Sequence, residues 1–385
     1  MTQVEKELFS IINDIVDNSD IDCDDLCNNS IFEEVKVLVL EIYSQFVELK
    51  TSNEVNKICD EIHKLLYQKQ NMPPDPIYSQ SELLYLESKF KHLEQIPQPE
   101  QRSPEWHIFR NNRLTASDLY SVIDKGGTSK RNELIMKKCG ADIPFLTNDA
   151  ILHGVKFEEI AVQIYEKRNK IIITDFGCIP HPIIPFFGAS PDGIVHYNSE
   201  NKNYVGRMLE IKCPKSRKIT GIIPPGYFAQ VQGQLEVCDL DYCDFLECDF
   251  QKYASEDEFF NDTEPFKEKG IIVEFYDSKL KKTLYYYSKE IHVKCKETFE
   301  KWEETLMNPI YENEHLDYLT TVFWYLNQYN VVLVKRDKNY FNTNYENIKL
   351  FWDDVLKYRE IGIESLKKIK KPKNNYKEPE LNFLD

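Results

Sequence analysis

The stretch that decides the fold reads Ser190-Pro191-Asp192-Gly193 and, after a short connection, Leu209-Glu210-Ile211-Lys212. The first part is typical of a tight turn, and the second part is typical of a strand. Alternate residues of a strand share a face, so Glu210 and Lys212 project together while their apolar neighbours face the core. Two carboxylates can hold a hard divalent cation, and a lysine beside them can orient or deprotonate a water. The pattern predicts metal-dependent hydrolysis of a phosphodiester.

Each half of this pattern has a simpler explanation when it stands alone. Pro-Asp-Gly is a common turn tripeptide, and edge strands often expose Glu and Lys. The order of the two halves, each attached to a strand, is what favours a site with two carboxylates.

The 385 residues are enough for two or three domains at roughly 100–200 residues each. The composition, 42% apolar and 29% charged, is typical of a soluble globular protein. The most apolar run, 35–43, is interrupted by Lys36 and Glu41 and is shorter than the ~20 residues that span a bilayer. We find no signal peptide and expect an intracellular, soluble protein without a membrane partner. The ten cysteines include no CxxC pair, which favours reduced thiols over a zinc or iron–sulfur site.

The net charge of −16 argues at first against a nucleic-acid partner. The acidity lies mostly at the N-terminus, where residues 1–102 carry 9 basic and 20 acidic side chains. Residues 103–250 carry 17 basic and 19 acidic side chains, so a local basic groove remains compatible with the composition there.

We divide the chain into five regions: an acidic helical region (1–95), a linker rich in Pro and Gln (96–104), an α/β core (105–290), a helical region (291–370) and a tail rich in Lys, Asn and Pro (371–385). The core is predicted to have helices at 152–170 and 227–237 and strands at 171–176, 187–190, 193–196, 205–213 and 242–250. These elements indicate a mixed sheet flanked by helices. After residue 288 we predict helices at 292–307 and 345–367 and one strand at 331–335.

Other polar residues of the core are candidates for the same site. Glu158 follows Gly154 by one helical turn and is predicted to face inward, although an exposed glutamate is the common alternative. Gln230 and Gln232 can donate hydrogen bonds to a nucleic-acid backbone or to a metal-bound water, or they can form a plain polar helix face. Arg110 offers a fork for a phosphate and Ser117 a hydroxyl near a helix start capped by Thr115; the alternatives are a surface salt bridge and a simple cap.

These pieces occur in one order along residues 103–250. They are Trp106-His107-x-x-Arg110, Leu114-Thr115-Ala116-Ser117, Gly154-x-x-Phe157-Glu158, Ser190-Pro191-Asp192-Gly193, Leu209-Glu210-Ile211-Lys212-Cys213-Pro214 and Tyr227-Phe228-Ala229-Gln230-Val231-Gln232. The succession resembles the phage lambda exonuclease family of YqaJ-type viral recombinases, within the PD-(D/E)XK nuclease superfamily. The richness in Lys, Asn and Ile and the long extensions are similar to those of members from large DNA viruses, which act in the host cytoplasm or nucleus.

The resemblance implies a role for each matching residue. Asp192, Glu210 and the carbonyl of Ile211 would bind Mg²⁺, with Mn²⁺ as a substitute, and Glu158 would complete that site or bind a second ion. Lys212 would activate or position the attacking water, and Gln230 would help to hold the site. The 5′-phosphate and the DNA backbone would be bound by Arg110, Ser117, Ser190 and Gln232.

The resemblance also implies an activity and partners. Family members degrade one strand of linear double-stranded DNA from its 5′ end and leave a 3′ overhang for a single-strand annealing protein. The phage enzyme is a ring-shaped trimer, so a homo-oligomer is expected here. The N-terminal region and the residues after about 255 fall outside the resemblance.

Two other functions remain open from the sequence. The same fold could serve a structure-specific or repair endonuclease, because the metal-site motifs do not separate the two activities. The acidic helical region could instead make the chain a viral protein that interacts with a host partner, although charge-rich helices are more often solvated supports.

Overall fold

The computed structural model describes residues 75–123, 128–140, 149–264, 267–312 and 315–366. These residues contain nine α-helices and ten strands, joined by loops and short 3-10 helices. The helices are α1 (Gln80–Gln95), α2 (Pro104–Asn111), α3 (Tyr120–Ile123), α4 (Thr128–Lys138), α5 (Asp149–Asn169), α6 (Pro225–Cys238), α7 (Glu256–Asn261), α8 (Lys296–Glu312) and α9 (Lys338–Ile361). The strands are β1 (Leu114–Thr115), β2 (Ile173–Thr174), β3 (Ile179–Pro180), β4 (Phe187–Ala189), β5 (Gly193–Val195), β6 (Met208–Lys212), β7 (Tyr242–Lys252), β8 (Lys269–Asp277), β9 (Lys282–Tyr287) and β10 (Leu316–Lys335). The helices predicted before residue 75 and the tail predicted at 371–385 lie outside the described residues.

The main sheet has seven strands in the order β2-β5-β6-β7-β10-β8-β9. The pair β6–β7 is parallel, and the other neighbouring pairs are antiparallel. Helix α6 connects the two parallel strands, as a crossover between parallel strands requires. A smaller sheet has the order β1-β4-β3. The fold is the predicted α/β class, with a mixed sheet flanked by helices.

Strand β6 is buried on both faces by helices. Leu209 packs in a cluster with Phe157 of α5, whereas Met208 packs in a second cluster with Leu235 of α6 and Phe351 of α9. All five side chains are fully buried, and burial of each such side chain contributes roughly 1.5–3 kcal/mol. The face that carries Met208 also carries Glu210 and Lys212, so these two polar side chains project toward α6.

The C-terminal part of the chain contains the two predicted helices, as α8 and α9, but much more strand than was predicted. Strand β10 has 20 residues and lies inside the sheet, where it pairs with β7 over 324–335 and with β8 over 316–325. Only its last five residues were expected as a strand, because most side chains of 316–330 are partly exposed and show no clean alternation. Strands β8 and β9 have no counterpart among the predicted strands. The predicted domain boundaries remain predictions.

Two helix starts differ in how they are capped. Ser79 caps α1 through a capping box with Glu82. Thr115 precedes a 3-10 helix (Ala116–Asp118) without a side-chain cap, so its predicted capping role is wrong. Its Oγ1 instead donates to Oδ2 of Asp118 at 3.0 Å.

A buried ionic network lies on the α5 side of the sheet. The guanidinium of Arg207 is 3.2 Å from Oδ2 of Asp244, and both residues are at most 2% exposed. The same carboxylate accepts a hydrogen bond from the hydroxyl of Tyr165. Arg207 also contacts Asp75, whose side chain is mostly exposed, at 2.7 Å. No helix of the described residues is long and apolar enough to cross a membrane.

Candidate active site

The turn that carries Asp192 is fixed against strand β6. Strand β5 pairs antiparallel with β6, with Gly193 opposite Leu209. The backbone N–H of Ile211 donates a hydrogen bond of 2.7 Å to Oδ2 of Asp192. Position 193 has no room for a side chain, since a Cβ there would lie 2.3 Å from Cγ2 of Ile173. The turn carboxylate therefore lies beside the strand that carries Glu210 and Lys212.

Glu210 is a buried carboxylate with a donor on each oxygen. It is 1% exposed. Oε1 accepts a hydrogen bond of 2.6 Å from Nε2 of Gln230 and contacts the ammonium of Lys212. Oε2 accepts a hydrogen bond of 2.6 Å from Nε2 of Gln234. These contacts confirm that Glu210 and Lys212 share a face, and they fix the orientation of the carboxylate.

Helix α6 supplies these glutamines from one of its faces. Gln230 and Gln234 are four residues apart and therefore lie on the same side of the helix. Gln232 projects elsewhere, because its Nε2 donates to the carbonyl of Lys335 at 2.9 Å and its Oε1 accepts from the N–H of Asp337 at 2.8 Å. The structure thus places Gln232 outside the site, where it joins α6 to the end of β10. Gln234 was missed, although its spacing from Gln230 is the signal that finds it.

Glu158 enters the site from α5. Nη2 of Arg102 contacts its two carboxylate oxygens at 2.7 and 2.9 Å. The adjacent Glu159 is exposed and accepts a hydrogen bond from Gln163, so it does not line the cavity with Glu158. A Cβ at Gly154 would meet nothing within 4 Å, so no other part of the described chain packs closely against this glycine.

The site has two halves. The carboxylates and Lys212 form the first half, and Arg110 of α2 is the centre of the second half. Its Nη1 donates to Oγ of Ser190 at 3.2 Å, and its Nη2 donates to Oγ of Ser117 at 3.1 Å. The guanidinium lies over the ring of Trp106 with its carbon 4.2 Å from the ring centroid. Nε1 of Trp106 also donates to Oγ of Ser190 at 3.2 Å. The aromatic ring fixes the plane of the guanidinium, and two hydroxyls flank it.

A partly buried ion pair stabilises the half of the site that contains Arg110. Nζ of Lys138 lies 3.2 Å from Oδ2 of Asp118 and donates to the carbonyl of Arg110 at 3.0 Å. Burial lowers the pKa of the Lys138 ammonium. Burial works to raise the pKa of Asp118, but Lys138 and Lys137 outweigh it and hold this pKa below its usual range. The pair thus joins α4 to the helix that carries the guanidinium.

The two halves meet in one cavity of about 190 Å³. Eight of the ten predicted site residues line it, namely Arg110, Ser117, Glu158, Ser190, Asp192, Glu210, Lys212 and Gln230. The other lining residues are Gln101, Arg102, Trp106 and Gln234. Ile211 lines a neighbouring groove of about 530 Å³, and Gln232 lines neither the cavity nor the groove.

The carboxylates of the cavity repel one another. Burial, Glu210 and Glu158 together raise the pKa of Asp192 well above its usual range. Burial also raises the pKa of Glu158, and Arg102 offsets part of this effect. Burial alone would lower the pKa of Lys212, but Glu210 and Asp192 outweigh it and raise that pKa. A cation among these groups would therefore be stabilised.

The donor chemistry of the cavity fits a hard divalent cation. Asp192 and Glu210 supply carboxylate oxygens and Ile211 supplies a carbonyl, which are the ligand types that Mg²⁺ prefers. As the side chains stand, the described residues contain no group of three or more His, Cys, Asp or Glu placed to hold a metal ion. The oxygens of Glu210 are already bonded to Gln230, Gln234 and Lys212. Binding of a cation would thus require some of these contacts to rearrange.

The segment that contains all ten predicted site residues belongs to a known domain family. Residues 105–241 match the family model of the YqaJ-like viral recombinase domain. The chain carries a YqaJ-like viral recombinase domain. The match confirms the family that the ordered motifs indicated, and Arg102 lies just outside it.

The chain is similar to proteins of large DNA viruses. An uncharacterized protein of Acanthamoeba polyphaga mimivirus is 31% identical over 348 residues, which cover 82% of this chain and 63% of that protein. A protein of African swine fever virus is 27% identical over 158 residues, which cover 36% of this chain and 46% of that protein. The chain therefore spans between about half and two thirds of the length of the curated relatives it matches.

Solved structures show a weaker likeness. An alkaline exonuclease from Laribacter hongkongensis is 21% identical with a TM-score of 0.41, covering 67% of this chain and 95% of that one. A phage-related exonuclease from Haemophilus somnus is 13% identical with a TM-score of 0.36, covering 66% and 96%. Likeness at this level carries no information about the activity of the chain.

Proposed function

We propose that this chain is a divalent-cation-dependent deoxyribonuclease that degrades linear double-stranded DNA from a 5′ end. The observation that carries the proposal is that the carboxylates, Lys212 and the guanidinium-bearing Arg110 all line one cavity. Hydrolysis of a phosphodiester needs both parts, because one part must activate water while the other must hold the phosphate.

The carboxylate half is the proposed cation site. Asp192, Glu210 and the carbonyl of Ile211 would hold Mg²⁺, for which Mn²⁺ would substitute, and Glu158 would complete the site or hold a second ion. When bound, the ion would lower the pKa of a water and stabilise the leaving oxygen. Gln230 and Gln234 keep Glu210 in one orientation, which preorganises the site.

Lys212 is the proposed catalytic cation of the chain itself. Its ammonium contacts Glu210 and lines the cavity, so it is held at one position. From there it would donate hydrogen bonds to the attacking water and stabilise the negative charge that develops on the phosphate.

The other half is the proposed site for a terminal phosphate. Arg110 presents two donors in a fixed plane, and Ser117 and Ser190 supply hydroxyls on either side. A guanidinium fork suits the oxygens of a phosphate better than a single ammonium does. Binding of the 5′-phosphate there would bring the first phosphodiester of that strand toward the carboxylates, and this supports degradation in the 5′ to 3′ direction.

The domain family supports a place in viral DNA recombination, repair or replication. Degradation of one strand leaves a 3′ single strand, so the partner class that follows is a single-strand annealing protein. A homo-oligomer, with a trimer as the form known from the phage enzyme, is part of the same proposal.

Digestion of matched DNA substrates tests this function. We expect Mg²⁺-dependent loss of linear duplex with a 5′-phosphate, slower loss of linear duplex with a 5′-hydroxyl, and no loss of closed circular duplex. EDTA should stop the reaction. Cleavage of the circle at a similar rate would contradict the end-dependent mechanism and favour an endonuclease, and equal rates on both linear substrates would contradict the phosphate site.

A further inference from the structure

Arg102 connects the segment before the YqaJ-like domain to the cavity. It immediately precedes Ser103, which caps helix α2 by accepting a hydrogen bond from the N–H of Trp106. Its backbone has φ of +65°, in the left-handed region. A non-glycine residue adopts this conformation at a cost, and it persists only where the surrounding structure holds it.

Two glutamine side chains hold this segment against the core. Oε1 of Gln98 accepts a hydrogen bond of 2.6 Å from the N–H of Gly177. Nε2 of Gln101 donates to the carbonyl of Phe176 at 2.9 Å and to the carbonyl of Pro191 at 3.1 Å. Because Pro191 directly precedes Asp192, the segment is bonded to the turn that carries the metal-site carboxylate. The backbone of Arg102 is therefore anchored by its neighbours and not by its own side chain.

The guanidinium of Arg102 donates hydrogen bonds to both carboxylate oxygens of Glu158. Nη2 lies 2.7 Å from Oε1 and 2.9 Å from Oε2. The side chain is half exposed and lies between the active-site cavity and a groove of about 770 Å³. A divalent cation that used Glu158 would need the same oxygens, and the exposed guanidinium has open space into which it can move.

We propose that Arg102 is a displaceable counter-ion that competes with a divalent cation for Glu158. Before a cation binds, the guanidinium neutralises and orients this carboxylate. A cation gains Glu158 only when the guanidinium moves away, so Arg102 weakens cation binding at this position. The inference rests on the proposed function, since it needs a cation among the carboxylates of the cavity.

Counting free Mn²⁺ by electron paramagnetic resonance, in the absence of DNA, tests the competition directly. Arg102→Gly is the suitable variant, because glycine adopts a positive φ freely and the anchoring glutamines remain. We expect Arg102→Gly to bind Mn²⁺ about fivefold more tightly than the wild type, as removal of an exposed ionic partner suggests. Arg102→Lys, which keeps a charge without the fork, is expected to fall between them.

Two controls separate this inference from the proposed function. In the Glu158→Gln background, Arg102→Gly is expected to leave Mn²⁺ binding unchanged, and Lys167→Ala, which breaks an exposed pair with Glu290, should have no effect. Equal or weaker Mn²⁺ binding by Arg102→Gly would overturn the competition while leaving the cation site intact. Absence of Mn²⁺ binding by the wild type would overturn the cation site and the competition together.

Discussion

Nε2 of Gln234 donates a hydrogen bond of 2.6 Å to Oε2 of the buried Glu210. Gln230 and Lys212 contact the other oxygen, so each oxygen of this carboxylate has its own partner from the chain. A buried carboxylate without such donors would be strongly destabilised. Gln234 is therefore a positioning residue, since it acts on the proposed cation site through Glu210.

Replacement of Gln234 by leucine should reduce catalysis more than it reduces stability. The variant leaves Oε2 without its donor, and loss of a group that orients a metal ligand typically costs about 10–100-fold in activity or metal affinity. We expect this loss in kcat, with a higher Mg²⁺ requirement, in steady-state digestion of linear duplex. Gln232→Leu is the matched control, because it should lower the melting temperature and leave kcat near the wild-type value. A similar loss of kcat in both variants would show that the effect comes from helix α6 as a whole.

Asp192→Asn should stabilise the metal-free protein at neutral pH. The pKa of Asp192 is raised in the folded state by burial and by Glu210 and Glu158, so the folded state holds this proton more tightly than the unfolded chain does. The contribution of Asp192 to wild-type stability therefore falls as the pH rises above the unfolded value of about 3.9. Asparagine cannot ionise but can still accept from Ile211.

Melting temperatures measured between pH 4 and 8 in EDTA check this sign. The advantage of Asp192→Asn should grow as the pH rises, and added Mg²⁺ should stabilise the wild type alone. Asp317→Asn, on an exposed part of β10, is the control and should show neither effect. A destabilised Asp192→Asn variant at pH 7 would mean that carboxylate repulsion is not the dominant interaction in the cavity.

Arg110→Lys should remove the preference for a 5′-phosphate. A lysine cannot bridge Ser117 and Ser190 or lie flat on Trp106 as the guanidinium does. We expect the ratio of kcat/KM for 5′-phosphorylated over 5′-hydroxyl ends to fall by about tenfold or more, the loss expected for one charge-assisted contact. Arg113→Lys is a control close by, since Arg113 packs on Phe109 and does not line the cavity. An unchanged ratio in Arg110→Lys would place the terminal phosphate elsewhere.

Asp244→Ala should be one of the most destabilising single changes in the core. It leaves the buried guanidinium of Arg207 without its main partner, and breaking a buried pair in this way costs about 3–5 kcal/mol. Asp75→Ala removes the exposed partner of the same arginine and should cost less than about 1 kcal/mol. Chemical denaturation of the two variants measures the difference. Losses of equal size would show that Asp244 is not the main partner of Arg207.

The ordered motifs were enough to predict most of the site. Glu210 and Lys212 could be placed together because strand periodicity fixes which side chains share a face, and the Pro-Asp-Gly turn placed Asp192 next to the same pair of strands. Glu158 could be assigned to the site by its position one helical turn after Gly154. Arg102 could not be found in this way. Its contact with Glu158 depends on how a segment outside the motifs packs on the core, and no local pattern encodes that packing.

The C-terminal strand shows a different limit of the sequence. The last residues of β10, near Val332 and Val334, are buried and β-branched, so they were recognised as a strand. The preceding residues pair with β7 and β8 through two irregularities in register, and most of them are only partly buried, so they lack the clean alternation that marks a strand. Residues 320–325 are all β-branched or aromatic, so their composition favours a strand even though the alternating pattern is absent.

The most direct test of the central claim is release of nucleotides from linear duplex DNA by the wild type and by Lys212→Met. Methionine has a similar length without the charge, and Glu210 keeps its two glutamine donors, so the variant should fold normally by circular dichroism. We predict Mg²⁺-dependent release by the wild type and a loss of about a hundredfold or more in the variant, the effect typical of removing a group that stabilises transition-state charge. Wild-type release by Lys212→Met, or no release by the wild type with Mg²⁺, would contradict the assignment of this cavity as a nuclease active site.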